Sequence, residues 1–286
     1  MVKKFENFND PRKNALNGMK NSVSTEVWQK NIKFLNSLRL DISNHPVSRH
    51  PAIQMLNDGV IDKVSLLKIH LEYRQAIVQV FTDALLMAQF QTRQLEPRLE
   101  SGAKMFPRFL LSLNILDEFG FRPGLDQEGY YTGNPEYAHY PLFEDVLNDF
   151  GIGEVERNAY RASNIADKVR AYLESSFEDY KAVSALLAVA EEEVILFSPA
   201  LRQATHSIGI DVDSGYYYVH GVSHDATAEA ADDDHEDDLW FVLAQACTED
   251  DYEFITKICF EYCDLWQQFW DKQIADLQYE PYQKLA

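Results

Sequence analysis

The chain has 286 residues, of which 46% are hydrophobic and 13% aromatic, and its formal net charge is −20 at pH 7. This length and apolar content are enough for one sizeable hydrophobic core. The negative charge repels phosphate backbones and anionic lipid headgroups, so it argues against nucleic acid and membrane surfaces as partners.

The sequence predicts a cytoplasmic protein without disulfides. No apolar run approaches the roughly 20 residues needed to span a bilayer, and the polar segment 1–20 lacks the apolar region of a signal peptide. The cysteines are odd in number, at Cys247, Cys259 and Cys263, which disfavours a disulfide framework. Cys259 and Cys263 lie four residues apart in an apolar helical stretch, which predicts that they pack in the core.

Apolar residues recur with helical spacing along most of the chain, and most prolines fall between these stretches. We predict a flexible N-terminal segment over 1–22 and one helical domain over 23–286. The predicted helices of that domain lie at 24–44, 50–59, 62–93, 97–120, 136–150, 155–175, 178–207, 214–245 and 249–278. A long loop is predicted between Arg122 and Pro135, and no strand of useful length is predicted anywhere. The predicted fold class is all-α.

Several acidic and imidazole side chains fall where this pattern predicts a helical core. Metal sites in helical bundles use inward-facing Glu and His three or four residues apart, because such residues share a helix face. Glu136 and His139 form a Glu-x-x-His just before an apolar run, and Glu118 ends an apolar helix. A solvated first helical turn explains Glu136 and His139 equally well.

A carboxylate triplet, Glu191-Glu192-Glu193, interrupts an otherwise apolar helix. Three consecutive residues sweep about 200° of a helix, so at least one of them turns toward the apolar side. A buried carboxylate there is costly unless it is coordinated. We favour Glu191 or Glu192 over Glu193 as the residue that faces a metal.

The stretch after three consecutive tyrosines contains two histidines, His220 and His224, four residues apart. This spacing places both imidazoles on one helix face and suits metal ligation. A pair of hydrogen-bonded core histidines is the alternative. The acidic run over 229–238 is typical of a solvated face. If one straight helix continues through it, His235 lies roughly 22 Å along the axis from His220, too far to share a metal cluster.

The order of these motifs resembles the heme-oxygenase-like superfamily, which includes TenA-type thiaminases and PQQ-synthesis protein C. The likeness covers residues 30–275. It begins with the His-Pro at 50–51, followed by a long aromatic helix. The Asn-x-x-Asp-Glu-x-Gly at 114–120, with His139 after a loop, is similar to the first ligand region of the diiron oxidases and oxygenases of that superfamily. The Ala-rich helix with Glu191, followed by tyrosines and His220, is similar to the second.

This resemblance implies a seven-helix bundle and an iron-dependent, O2-activating enzyme acting on a fatty acid, amino acid or amine. It implies two iron ions, with manganese as the substitute metal, and the small molecule and O2 as partners. The implied metal ligands are Glu118, Glu136, His139, Glu191, His220 and His224, with Glu192, Asp225, Asp232 and His235 as further candidates. Tyr137 and Tyr217 are expected to line the substrate pocket.

The second ligand region departs from the family's His-x-x-x-Asp-x-x-His pattern. His220 matches its first ligand, but His224 stands where the pattern has Asp, and Thr227 stands where it has His. Asp232 and His235 restore the Asp-x-x-His half. One ion, two ions with altered ligands, and a lost site all remain open.

Two other functions are compatible with the same fold. One is a metal-free TenA-like enzyme, whose thiaminase type needs a nucleophilic cysteine facing the pocket. The other is a non-catalytic helical interaction protein whose acidic segment binds a partner. The last predicted helix carries Trp266, Phe269 and Trp270, which favours a homodimer.

Overall fold

The computed structural model describes residues 10–219 and 237–283. The predicted all-α class is confirmed, and none of the helices within these ranges is long and apolar enough to cross a bilayer. The α-helices are α1 (Pro11–Asn21), α2 (Thr25–Ser43), α3 (Pro51–Asn57), α4 (Lys63–Tyr73), α5 (Phe81–Gln91), α6 (Met105–Glu118), α7 (His139–Phe150), α8 (Glu154–Ala159), α9 (Asn164–Glu174), α10 (Tyr180–Ser207), α11 (Tyr216–Val219), α12 (237–246) and α13 (Tyr252–Gln283).

Helix α10 runs through the centre of the bundle and packs against α3, α5, α9 and α13. Every residue over 182–191 is buried, and the small and aliphatic side chains of this stretch allow neighbouring helices to approach closely. The helix starts at Asp179, whose Oδ1 accepts hydrogen bonds from the backbone N–H groups of Lys181 and Ala182 at 2.8 and 2.9 Å. Such a cap satisfies donors that have no partner within the helix. The predicted helix 178–207 is confirmed.

Helix α13 turns its aromatic side chains into the bundle. Trp266, Phe269 and Trp270 are fully buried, and Trp270 stacks on Phe197 of α10 with ring centroids 4.2 Å apart. These three residues therefore form part of the core of one chain and provide no surface for a second copy. The homodimer stays a prediction without their support. The predicted burial of Cys259 and Cys263 is confirmed, and Cys247 is buried as well.

Part of the predicted flexible segment 1–22 is an ordered helix, α1. Asp10 caps it by accepting a hydrogen bond from the backbone N–H of Lys13 at 3.0 Å, and Met19 is fully buried. The helix packs against α6, where Gly18 lies directly against the ring of Phe106. A few apolar contacts thus order a segment whose composition is mostly polar.

The predicted loop between Arg122 and Pro135 contains a small antiparallel hairpin with strands of five and three residues, which the sequence did not indicate. Strand β1 (Phe121–Leu125) pairs with β2 (Tyr131–Gly133). Between them, Asp126 Oδ1 accepts hydrogen bonds from the backbone N–H groups of Glu128 and Tyr130, each at 2.9 Å. The hairpin is mostly exposed and lacks the apolar alternation by which strands are recognised.

The predicted helix 62–93 is interrupted by a π-helical turn at Arg74–Val78. The backbone N–H of Gln79 reaches the carbonyl of Arg74, five residues earlier, at 3.2 Å. Such turns occur often at functional sites. Here Tyr73, Ile77 and Val78 all border one cavity. In a regular helix Val78 would point about 140° away from Tyr73.

Two further predicted helices are shorter than expected. The helix predicted from Pro97 begins only at Met105. The helix predicted over 155–175 is divided into α8 and α9, because Ser163 caps α9 and its N–H and hydroxyl donate hydrogen bonds to the buried Glu72. The Glu72 carboxylate thereby fixes the break between the two helices.

Candidate metal centre

A small cavity of about 30 Å³ lies where α4, the π turn, α5, α6, α7, α10 and α11 meet. Seven of its ten lining residues are apolar or phenolic. The apolar and phenolic lining consists of Ile77, Val78, Phe81, Val194, Tyr73, Tyr140 and Tyr216. The remaining lining residues are Glu118, His139 and Glu191, three of the predicted metal ligands.

Glu118 and His139 are in direct contact. The Nδ1 atom of His139 lies 2.9 Å from Oε1 of Glu118, and its Nε2 atom lies 3.7 Å from Oδ2 of Asp117. Both Glu118 and His139 are buried. The imidazole is therefore held between the carboxylates of two consecutive residues at the end of α6.

A glycine and the hairpin bring these two residues together across 21 positions. Gly120 follows the last turn of α6 with φ +79, and a Cβ atom there would lie 2.5 Å from the carbonyl oxygen of Asn134 and 2.6 Å from the backbone nitrogen of Ala138. Only a residue without a side chain tolerates both this φ and this approach. The returning backbone then starts α7 at His139, beside Glu118.

The three carboxylates of the triplet point in three directions, as the rotation of about 100° per residue requires. Glu191 faces the cavity. Glu192 faces away from it, 3.5 Å from the guanidinium of Arg39. Glu193 faces the core on the α13 side. The sequence left Glu191 and Glu192 as alternatives, and the structure places Glu191 with Glu118 and His139.

Glu193 is a buried carboxyl group that the sequence interpretation set aside. Its two oxygens accept hydrogen bonds from the hydroxyl of Tyr73 at 2.8 Å and from the indole N–H of Trp270 at 2.9 Å. Burial raises the pKa of Glu193 to about 8, against the opposing effect of these two hydrogen bonds. The sequence could have indicated the burial of Glu193, because this residue lies in the same apolar stretch as Glu191.

Asn114 is a further residue of the site that the sequence interpretation did not propose. It is buried, and its Nδ2 atom lies 3.5 Å from Oε1 of Glu191. Asn114 precedes Glu118 by four residues, so both share one face of α6. That spacing was the available signal.

Glu136 and Tyr137 lie outside the cavity. They belong to a 3-10 turn (Pro135–Tyr137) before α7, and both are exposed in a neighbouring surface cleft. Because the turn is not continuous with α7, Glu136 and His139 do not share a helix face. Glu136 instead accepts a hydrogen bond from Asn134 Nδ2 at 3.3 Å.

The remaining predicted ligands lie outside the described residues. These are His220, His224, Asp225, Asp232 and His235, together with Thr227 of the compared pattern. Within 10–219 and 237–283, no three His, Cys, Asp or Glu groups stand close enough together to hold a metal ion. Glu118, His139 and Glu191 therefore form an incomplete donor set.

Tyr217, a predicted pocket residue, is buried beside the cavity and bonds to His70. The Nδ1 atom of His70 lies 2.7 Å from the carbonyl oxygen of Leu66, which can only accept, so Nδ1 carries the proton. The Nε2 atom then accepts a hydrogen bond from the Tyr217 hydroxyl at 2.6 Å. Burial lowers the pKa of His70 to about 4, so the imidazole is neutral at pH 7.

This neutral histidine predicts an acid-dependent loss of stability. The pKa of His70 is lower in the folded chain than the model value of 6.5, so the unfolded chain binds the extra proton first. The stabilisation is fully present above pH 6.5, and about 3 kcal/mol of it is lost as the pH falls to 4. Urea unfolding at a series of pH values should show the free energy of unfolding falling between pH 6.5 and pH 4. His70→Gln should make this fall smaller. An equal slope in His70→Gln and in the surface control His206→Gln would contradict the assignment.

No protein-family model matches the chain, and no curated protein matches it. Two solved structures are similar to it. The first is a CADD-like protein of unknown function from Nostoc punctiforme, with 17% identity, a TM-score of 0.60, and 89% of this chain and 99% of that chain covered. The second is a TenA homolog from Pseudomonas syringae pv. tomato, with 12% identity, a TM-score of 0.56, and 87% and 93% covered. At these identities the likeness shows the fold, and the predicted heme-oxygenase-like bundle is confirmed.

Proposed function

We propose that this protein is an iron-dependent, O2-activating oxidase or oxygenase that acts on a small molecule. The observation that carries this proposal is the meeting of Glu118, His139 and Glu191, from three separate helices, at one buried cavity. Carboxylates and neutral imidazole are the donors that suit ferrous iron and manganese. The heme-oxygenase-like fold is a second support.

The charge balance of the cavity fits a bound cation. Glu118 and Glu191 are only 4% and 6% exposed, and a buried carboxylate is costly unless it is paired or coordinated. No lysine or arginine is among the described residues that line the cavity, and the segment 220–236 contains none. A protonated His139 would compensate one carboxylate at most. A divalent ion would compensate both.

The lining residues have separate tasks in such a reaction. Ferrous iron, when bound, supplies the electrons that reduce oxygen. Glu118, His139 and Glu191 would hold it, and His220 with the residues after it would complete the ligands. Glu118 fixes the orientation of the His139 ring through the contact with Nδ1. The apolar residues around Phe81 limit the access of water to the carboxylates and the imidazole.

The rival functions find less support. All three cysteines are buried, and burial raises the pKa of Cys247 and Cys263 to about 12, so their thiolates are scarce at pH 7. None of them lines the cavity, and a metal-free enzyme would need another nucleophile. The end of the acidic run is also not a free binding surface, because Asp237 and Asp238 form ion pairs with Arg39 and Arg12 at 2.8 and 2.6 Å.

Elemental analysis tests the proposal directly. Protein purified from iron-supplemented cells is expected to hold iron, and His139→Ala is expected to bind it at least about 10-fold more weakly. His206→Ala, at an exposed position near the end of α10, is the matched control and should keep the iron of the parent. Purified parent protein without iron or manganese, together with an unchanged His139→Ala, would end the proposal.

A further inference from the structure

A series of oxidisable aromatic rings leads from the cavity to the protein surface. Tyr73 lines the cavity, and its ring centroid lies 5.9 Å from that of Trp266. Trp266 lies 6.0 Å from Tyr262, which stacks on Tyr172 at 5.8 Å with an interplanar angle of 16°. The Tyr172 hydroxyl donates a hydrogen bond to exposed Glu261 at 2.6 Å. The series thus joins α4 to α9 through α13.

We propose that this series conducts oxidising equivalents from the cavity to the surface when no substrate is present to consume them. The proposal rests on the oxidative function proposed above. An oxidant in the cavity takes one electron from Tyr73, which regains one from Trp266, which in turn regains one from Tyr172. A soluble one-electron reductant of the thiol or ascorbate class then restores Tyr172. In sum, one electron passes from that reductant to the oxidant.

The hydrogen bonds at the two ends of the series suit this role. A tyrosine that loses an electron also releases its phenolic proton, so it needs an acceptor within hydrogen-bond distance. Tyr172 has the exposed Glu261, and Tyr73 has Glu193 at 2.8 Å, which accepts the proton when it is ionised. Because burial raises the pKa of Glu193 to about 8, we expect oxidation of Tyr73 to be favoured above that pH. Each proton moves along its hydrogen bond and returns with the electron, so the series gains and loses no protons.

The two middle rings act differently from the ends. An indole forms a radical cation without losing its proton, so Trp266 serves as a stopping point for the charge. The Tyr262 hydroxyl has no hydrogen-bond acceptor among the described residues, so Tyr262 keeps its proton and provides a stacked bridge. Loss of Trp266 should therefore interrupt conduction far more than loss of the Tyr262 hydroxyl.

The rings next to the series leave only one of its branches with a route to the surface. Trp270 also lies near Tyr73, at 6.3 Å, but it stacks on Phe197, and phenylalanine is not readily oxidised. Phe269, which lies between the two tryptophans, ends a branch in the same way. The branch through Tyr262 is the one that reaches a surface hydroxyl with an acceptor.

A photo-oxidant on metal-free protein tests the series without any metal reaction. Lys168→Cys introduces an exposed thiol one helical turn before Tyr172, and the three native cysteines are buried, so a ruthenium polypyridyl label attaches selectively. A laser flash with an electron-accepting quencher then injects the oxidising equivalent beside Tyr172. Transient absorption distinguishes tryptophan from tyrosine radicals, and electron paramagnetic resonance follows the long-lived tyrosyl species.

The labelled parent is expected to form tyrosyl radicals at both Tyr172 and Tyr73, and Tyr73→Phe should remove the radical at Tyr73 alone. Trp266→Phe should lose that radical, Tyr262→Phe should retain it at reduced yield, and Trp28→Phe, a buried indole outside the series, should match the parent. If Trp266→Phe does not fold, incorporation of a fluorinated tryptophan of higher potential must suppress the transfer. A Tyr73 radical that forms equally without Trp266, or a radical that never leaves Tyr172, would overturn the proposal. Because no metal is present, these outcomes stand apart from the iron analysis.

Discussion

Replacing Glu191 by glutamine is expected to weaken binding of ferrous iron by about 100-fold or more, whereas the same change at Glu192 is expected to leave it unaltered. Both variants remove one negative charge from consecutive positions of α10 and keep the side-chain shape. Only Glu191 faces the cavity, while Glu192 lies beside Arg39 on the other side of the helix. Anaerobic equilibrium dialysis with ferrous iron measures the difference.

Comparison of Glu191→Gln with Glu192→Gln separates direct binding of the ion at the cavity from the general attraction of an acidic protein for cations. The chain carries a net charge of −20, so any carboxylate adds somewhat to the attraction of a cation. That long-range contribution is nearly the same at the two positions and is screened by salt. Equal losses in Glu191→Gln and Glu192→Gln would show that the cavity does not bind the ion. Weaker iron binding in Glu192→Gln alone would show that the ion binds on the opposite face of α10.

Replacing Gly120 by alanine is expected to destabilise the fold by about 3 kcal/mol or more and to reduce iron binding at the same time. The φ of +79 is unfavourable for alanine, and the new Cβ would lie within 2.6 Å of backbone atoms of Asn134 and Ala138. Backbone atoms yield less readily than the end of a side chain. Relief of the clash would move the start of α7 and separate His139 from Glu118.

Gly129 provides the matched control for this variant. It also has a positive φ, of +86, but a Cβ there would meet no atom within 4 Å. Gly129→Ala should therefore lower the free energy of unfolding by about 1 kcal/mol, because alanine disfavours a positive φ. It should leave iron binding intact. Urea unfolding measures both variants. A Gly120→Ala protein as stable as Gly129→Ala would show that the close approach of the hairpin is not required.

The sequence was most informative where residues of the site are close along the chain or share a motif. Glu118 and His139 were identified by an Asn-x-x-Asp-Glu-x-Gly followed by a histidine, and the structure places them in contact. The Glu-x-x-His spacing was misleading by contrast, because it assumes one helix through both residues. Pro135 and a 3-10 turn precede α7, so Glu136 stays outside.

Features set by tertiary contacts were not visible in the sequence. Which glutamate of the triplet at 191–193 faces the cavity depends on how α10 is rotated about its axis relative to α6, and the sequence does not give this rotation. The Tyr73–Glu193 pair joins residues 120 positions apart, and no local pattern predicts such a pair. The hydrogen bond of His70 to Tyr217 likewise spans 147 positions.

The π turn at Arg74–Val78 has a consequence for related chains. A π turn holds one residue more than an α-helical turn, so it takes up a single-residue insertion while the segments on either side keep their phase. Deletion of one residue there would restore an α-helical turn and leave the buried face of α5, including Ala84 and Leu85, in place. The residues of the turn itself, Arg74–Val78, would instead change direction, by about 100° for each position by which they shift. On this side, then, the shape of the cavity depends on how many residues lie between Tyr73 and Phe81. Two chains with matching residues but different counts here would accommodate differently shaped molecules.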